Sequence, residues 1–338
     1  MREVSWIRRL ALFGALLALG VVVLGGYTRL SNSGLGCPDW PGCFGHVAPT
    51  GAAENYATDA DVRKAWTEMI HRYAAGTLGF VIVLIAAFSW RARRERGVSV
   101  GFAAALLALV VFQGMLGMLT VTWLLKPLIV TGHLIGGLTT FALLWWLWLS
   151  MRARSRPVDG FSVLEGNVLV DSGRAARVLA GCALAALALQ VTLGGWTSSN
   201  YAAVACPDLP KCQDQWVPEA DFKDAFVVWR GLGINYAGGV LDHPARVAIH
   251  FTHRVGAVVA SLLILAAAFA SMRGLGRGPR WAGVAVVAAL LLQLCIAYFM
   301  VKRAFPLELA AAHNAGAALL LATTVFLNRK LRPVPDFR

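Results

Sequence analysis

Charge is what this sequence has least of. Charged residues occupy 14% of its 338 positions, where an ordinary soluble domain carries roughly 25%. Acidic residues are scarcest, 18 against 31 Lys and Arg. A soluble domain of this length would need far more polar surface. The hydrophobic 58% is instead gathered into apolar runs near 9–28, 66–90, 98–122, 129–151, 176–197, 245–272, 281–301 and 308–327. Each is long enough to cross a bilayer, which takes about 20 residues. The expected fold class is an all-α polytopic membrane protein of eight transmembrane helices.

A net charge of +13 would ordinarily raise the question of nucleic acid. Its distribution answers against that. The N-terminus, the C-terminal tail and the loops at 91–97, 152–177 and 273–280 together hold 19 Lys/Arg and 6 Asp/Glu; everything else holds 12 and 12. All of the excess lies on one side, which the positive-inside rule marks as cytoplasmic. Both termini are therefore expected inside, in a multi-pass protein of the bilayer. No A-x-A cleavage site follows the first apolar run, so that helix is read as retained rather than as a signal peptide.

Cysteine is also sparse, six in all. Cys182 and Cys295 fall within helices and are read as inert, buried packing residues. The other four sit in two long outer loops, GLGCPDWPGC (34–43) and AVACPDLPKC (203–212). The pattern C-P-D-x-P-x-C thus occurs twice, 169 residues apart. Two prolines stiffen each turn, and an oxidising outer compartment permits the disulfides Cys37–Cys43 and Cys206–Cys212. Thiolate ligation or redox exchange by the same pairs is the competing reading.

The loops belong to a longer duplication. GGYTRLSNSGLGCPDWPGC (25–43) aligns without a gap to GGWTSSNYAAVACPDLPKC (194–212), and MIHRYAAGTLG (69–79) is similar to FTHRVGAVVAS (251–261). Gln113 precedes His133 by 20 residues, as Gln293 precedes His313. The expected organisation is an N-terminal four-helix half at 1–151, a cytoplasmic linker at 152–175 and a C-terminal four-helix half at 176–338. Four helices is an even number, so both halves enter and leave on the same side. That relates them by a pseudo-twofold along the membrane normal.

His71, His133, His253 and His313 lie near the starts of helices 2, 4, 6 and 8. An ionisable residue inside a span is a functional hypothesis by default. Pro127 and Pro306 mark two of these starts. Each His is expected about two turns in, roughly 10 Å along the axis, at a common depth near the outer leaflet. Facing imidazoles suit a planar iron porphyrin. Zinc suits them less, since no thiolate or carboxylate cluster completes a three- or four-ligand site. The bland alternative is that each His only bonds a neighbouring helix. Arg72 and Arg254 follow the first His of each half, placed either to pair with carboxylates of a porphyrin or to snorkel to water.

The halves differ at one telling place. Glu68 lies three residues before His71, on nearly the same helix face, whereas His250 stands in that position before His253. Glu68 is either a proton-handling carboxylate or a wet boundary residue paired with Arg72. His250 is either a propionate contact or a cap of the helix start.

Taken as an ordered set, the GLGCPDWPGC loop, EMIHR (68–72), TGH (131–133), THR (252–254) and the late His313 resemble the haem A synthase family (CtaA/Cox15 type) over almost the whole chain. The resemblance implies a membrane oxidoreductase that converts haem O to haem A, oxidising a porphyrin methyl to a formyl by successive hydroxylations. It implies that His253 and His313 ligate the iron of a haem b cofactor, that His71 and His133 face the substrate haem O, and that Glu68 is the catalytic carboxylate. A haem O synthase (protohaem farnesyltransferase), cytochrome oxidase assembly factors and the bacterial cell (inner) membrane are the partners and location it implies. Two other readings compete: a non-catalytic dihaem b-type electron carrier, which explains the histidines but not Glu68, and a transporter, which would carry broken helices near the midplane.

Overall fold

The computed structural model describes residues 2–51, 58–95, 97–154, 167–273 and 275–332. Eight long helices account for the apolar runs: α1 (Arg2–Leu30), α2 (Asp59–Arg91), α3 (Val100–Thr122), α4 (Pro127–Arg154), α5 (Asn167–Ser199), α6 (His243–Met272), α7 (Arg277–Lys302) and α8 (Leu307–Leu331). All eight are long and apolar enough to span a membrane. The chain is a multi-pass α-helical membrane protein. Such a fold satisfies its backbone groups within each helix, as lipid requires.

The helices start where local chemistry puts them, which is not always where hydropathy does. α2 begins at Asp59, seven residues ahead of its apolar run, because Thr58 caps it and the acidic Asp59 and Asp61 sit in its first turn. His71 therefore lies about 18 Å along α2, and His253 about 15 Å along α6, at 1.5 Å per residue. His133 and His313 lie only about 9 Å into their shorter helices. The expectation of two turns holds for α4 and α8 alone; α2 carries a polar extension above its apolar run, and His253 stands nearly three turns into α6. α4 and α5 likewise reach into the expected linker, whose residues 155–166 lie outside the described part.

Two rings of four helices result. α1 packs on α2 and α4, which are bridged by α3; α5 packs on α6 and α8, which are bridged by α7. The rings meet where α1 and α4 face α8 and α5. Small side chains permit the close approach: Ala11, Ala15, Ala18 and Val22 form one buried stripe on α1, and Ala176, Ala180, Ala183 and Leu187 form another on α5. Polar side chains tie the seam. Trp145 Nε1 donates to Ala322 O (3.1 Å) and Arg329 Nε to Ser150 Oγ (3.1 Å). The opposite surface is apolar and exposed, including Phe80, Leu189 and Leu262, as a lipid-facing surface must be. Cys182 and Cys295 are on that exposed surface. They are not the buried packing residues expected, because the helices are apolar all round and apolarity alone does not say which face is inward.

At the end that carries the disulfide loops the seam is tied by contacts between repeat-equivalent residues. Arg29 Nη2 donates to Ser198 O (2.7 Å) and the Tyr201 hydroxyl to Asn32 Oδ1 (3.3 Å), and each pair is 169 residues apart. The long loop between α5 and α6 also clasps the α3–α4 corner. Lys126, 1% exposed, places its ammonium 3.3 Å from the Trp229 ring centroid and donates to Gly231 O, while Tyr236 N donates to Leu124 O (3.1 Å).

Candidate functional site

The two C-P-D-x-P-x-C loops fold alike. Cys37–Cys43 and Cys206–Cys212 are bonded, with Cα–Cα separations of 4.9 and 4.7 Å. Trp40–Pro41 and Leu209–Pro210 are both cis. The motif's aspartate closes each turn. Asp39 accepts from the N–H groups of Phe44 (2.7 Å) and Gly45 (2.8 Å), and Asp208 from those of Gln213 (2.7 Å) and Asp214 (2.9 Å). Desolvation pushes both carboxyls up, but these bonds and the charges of Arg72 and Arg254 outweigh it and hold them below the ordinary aspartate value.

Arg72 and Arg254 hold the loops down. Arg72 Nη1 donates to the carbonyls of Asp39 (2.9 Å), Pro41 (3.3 Å) and Gly42 (2.5 Å). Arg254 donates to Asp208 (2.8 Å), Lys211 (2.8 Å) and Cys206 (2.7 Å). Neither guanidinium snorkels. Each also binds the residue one turn back on its own helix: Arg72 pairs with Glu68 Oε1 at 2.5 Å, and Arg254 Nε donates to His250 Nε2 at 3.3 Å. His250 thereby gains a place, as the uncharged counterpart of Glu68 in the second half.

Glu68 is not a wet boundary residue. It is 4% exposed, and its second oxygen accepts from Cys37 N at 2.9 Å. It is bonded to Arg72 and to the disulfide loop at once, so the pairing with Arg72 holds and the wet setting does not. Burial of a carboxylate is tolerable only with such partners.

Beneath the loops lies a cavity of about 1980 Å³ lined from both halves. Usual ligand pockets occupy about 300–1,000 Å³, so this one has room for two large ligands. Glu68, His71, His133, His253 and His313 all line it. The His71 and His133 rings face each other, centroids 6.5 Å apart and planes at 86°. Glycines make room for them. A Cβ on Gly25 would stand 2.7 Å from His71 Cε1, and one on the equivalent Gly194 would stand 3.1 Å from His253 Cε1. Nδ1 of His71 and of His133 is buried without a hydrogen bond.

Sequence reading missed Gln190, the only amide in its apolar run, whose Nε2 lies 3.0 Å from His253 Nδ1. It also left Gln293 as no more than a spacing, although its amide lies 3.2 Å from His313 Nδ1. A lone amide in an apolar run was the available signal.

The family model described as COX15-CtaA, cytochrome oxidase assembly protein, matches residues 8–325. The chain is 38% identical over 338 aligned residues to the heme A synthase of Shewanella oneidensis, covering 96% of each chain. It is 26% identical to that of Halalkalibacterium halodurans, covering 95% of this chain and 96% of the other. To the human heme A synthase COX15 it is 27% identical, covering 94% of this chain and 80% of the other. With its eight spanning helices, twin disulfide loops and facing histidines, the chain belongs to the COX15-CtaA family of cytochrome oxidase assembly proteins.

Proposed function

We propose that this chain is a haem A synthase, a membrane oxidoreductase that oxidises a methyl group of haem O to the formyl group of haem A. The observation that carries the reading is the single cavity with two duplicated histidine pairs and one unduplicated buried carboxylate, Glu68, beside the first pair.

The residues suit haem. The His71 and His133 rings, with centroids 6.5 Å apart on one cavity, would together hold the iron of a haem. Gly25 and Gly194 leave the space that an iron-facing ring needs. In this reading His253 and His313 hold haem b as a resident cofactor, and His71 and His133 face the substrate. Haem, when bound, would supply the redox chemistry of the site.

The protein's own part concerns protons, water and position. Each hydroxylation converts a methyl carbon and water into a carbinol with release of two electrons and two protons; a second gives the hydrate, which loses water to become the formyl group. Glu68 is the acceptor for such a proton. Its oxygens are fixed by Cys37 N and Arg72, and it lies one turn from His71 on the cavity wall. The disulfide loop, held by Arg72, roofs the site and limits the entry of water. Each C-P-D-x-P-x-C bridge contributes roughly 2–3 kcal/mol by restricting the unfolded loop. A non-catalytic dihaem carrier would have no use for a proton acceptor at Glu68.

The bilayer is the bacterial cell (inner) membrane in this reading, with both termini cytoplasmic, as the basic loops indicate. Haem O arrives from a haem O synthase, and haem A leaves for cytochrome oxidase assembly. The contacts of Arg29 with Ser198 and of Tyr201 with Asn32 support an approximate twofold between the halves, since a residue meets its own repeat mate only near such an axis.

Expression in cells that make haem O but no haem A tests the assignment. Extracted pigments should contain haem A only when the chain is present; its absence, with the protein in the membrane at normal levels, would overturn the reading. A finer expectation concerns Gly25. Gly25→Ala should displace the His71 ring and lower haem A yield about tenfold or more, on the scale of disturbing a ligand's setting. Gly20→Ala, on the same helix with nothing near its added methyl, should be silent. Equal yields from the two would refute the role of the clearance at Gly25.

A further inference from the structure

Four arginines line the cavity: Arg29, Arg72, Arg246 and Arg254. Three of them are engaged by the protein. Arg72 and Arg254 hold the disulfide loops. Arg29 donates to Ser198 O, with its guanidinium 4.1 Å from the Tyr201 ring centroid. Arg246 differs. Its Nε is buried without a hydrogen bond, and among the described residues it forms no ion pair. Asp242, one turn before it on α6, is exposed and does not pair with it.

The repeat shows why this side chain is left over. The alignment of MIHRYAAGTLG (69–79) with FTHRVGAVVAS (251–261), extended upstream without a gap, sets Arg246 opposite Lys64. Lys64 is not on the cavity wall; its ammonium pairs with Asp61, three residues back, at 2.9 Å. In the place of Asp61 the second half has His243, whose Nε2 lies 2.5 Å from Gln213 Nε2. No carboxylate draws Arg246 outward. It lies on the cavity wall in one stripe with His250, His253 and Ala257.

We infer that Arg246 binds a propionate of the haem held by His253 and His313. The inference rests on the assignment of those histidines as iron ligands. Arg246 precedes His253 by seven residues, two helical turns, so both lie on one face about 10 Å apart along the axis. The displacement runs towards the end that carries the disulfide loops. A haem carries its two carboxylates on one edge, and a cation beyond that edge complements an iron ligand over the centre. A guanidinium suits the role, since its planar fork meets a carboxylate in two parallel bonds. A charge left unpaired on a cavity wall is costly, and a bound propionate removes that cost. Arg72 and Arg254 cannot serve as freely, because the loop carbonyls already occupy them. The anchor exists in one half only, since Lys64 is turned to Asp61.

The test compares the full-length protein in membranes as wild type, Arg246→Gln, Arg246→Lys and Lys64→Gln. The readouts are haem b retained on purification and the midpoint potential of that haem. Arg246→Gln should weaken retention about 10–100-fold, the scale of a hydrogen bond to a charged group. The haem that remains should have a lower potential, because a nearby cation opposes the added positive charge of ferric iron. Arg246→Lys keeps the charge and should restore the potential. It should recover retention only in part, since an ammonium lacks the fork. Lys64→Gln should match wild type in both readouts. Retention and potential unchanged in Arg246→Gln would overturn the inference. Retention lost with the potential unmoved would make Arg246 a structural residue and overturn it as well.

A second measurement needs no change at Arg246, should Arg246→Gln fail to accumulate. The His71→Ala protein, in which only the C-terminal pair offers two imidazoles, is made in haem-deficient cells and loaded with haem b or its dimethyl ester. Haem b should be retained about 10–100-fold better than the ester, whose carboxylates are capped. Equal retention would overturn the inference. His253→Ala separates the two levels: a b-type spectrum surviving that change would refute the ligand assignment itself. A spectrum lost there, with the Arg246 variants like wild type and the ester retained like haem b, would refute the role of Arg246 alone.

Discussion

Glu68→Gln is expected to abolish haem A formation while the b-type haem of the C-terminal half remains. The expected loss in rate is about 10²–10⁴-fold, the usual contribution of a positioned acid or base. Glutamine keeps the shape and an oxygen for the Cys37 N–H, so the disulfide loop retains that tie. It removes the negative charge facing Arg72 and the ability to take a proton. Breaking a buried ion pair can cost about 3–5 kcal/mol, which could reduce the amount of protein. Here Arg72 keeps three loop carbonyls as partners, so its charge is not stranded. The spectrum of the remaining haem reports whether the fold survives. Haem A production at the wild-type level would remove Glu68 from the mechanism.

The second large effect is expected at the other pair. His253→Ala or His313→Ala should eliminate the b-type spectrum, a larger loss than the ~10–100-fold cost of removing an outer partner. His71→Ala and His133→Ala should leave that spectrum and stop haem A formation. Alanine in place of either C-terminal histidine leaves a cavity lined by both halves but only one imidazole for the iron on that side. A b-type spectrum intact in His253→Ala would exchange the roles of the halves or dismiss the haem b assignment. The paired variants in the N-terminal half show which.

The membrane fold was legible because lipid imposes it. A run of some 20 apolar residues has few alternatives to a spanning helix. The histidines were legible because ionisable groups are conspicuous in such runs and because the chain states them twice. The disulfide pairs were legible for the same reason, and the structure joins Cys37 to Cys43 and Cys206 to Cys212.

What stayed hidden depends on which atoms meet. Hydropathy did not reveal the polar extension of α2, because capping by Thr58 acts through one hydrogen bond and not through composition. Nor did it reveal that Cys182 and Cys295 face outward. Arg72 and Arg254 were ambiguous in the sequence because a guanidinium binds carbonyls, carboxylates or water equally well. Only the folded loop, which aims its carbonyls down at α2 and α6, settles their partners.

By itself the sequence determined eight helices, their duplication, the twin loops and the ligand candidates, since each follows from local pattern and the demands of a bilayer. The tertiary structure alone decided that one cavity joins both halves, that Glu68 binds the first loop and Arg72 together, and that the Gln190 amide lies against His253. These are contacts between residues as many as 63 positions apart. They are set by how side chains pack across helices, which no local pattern encodes.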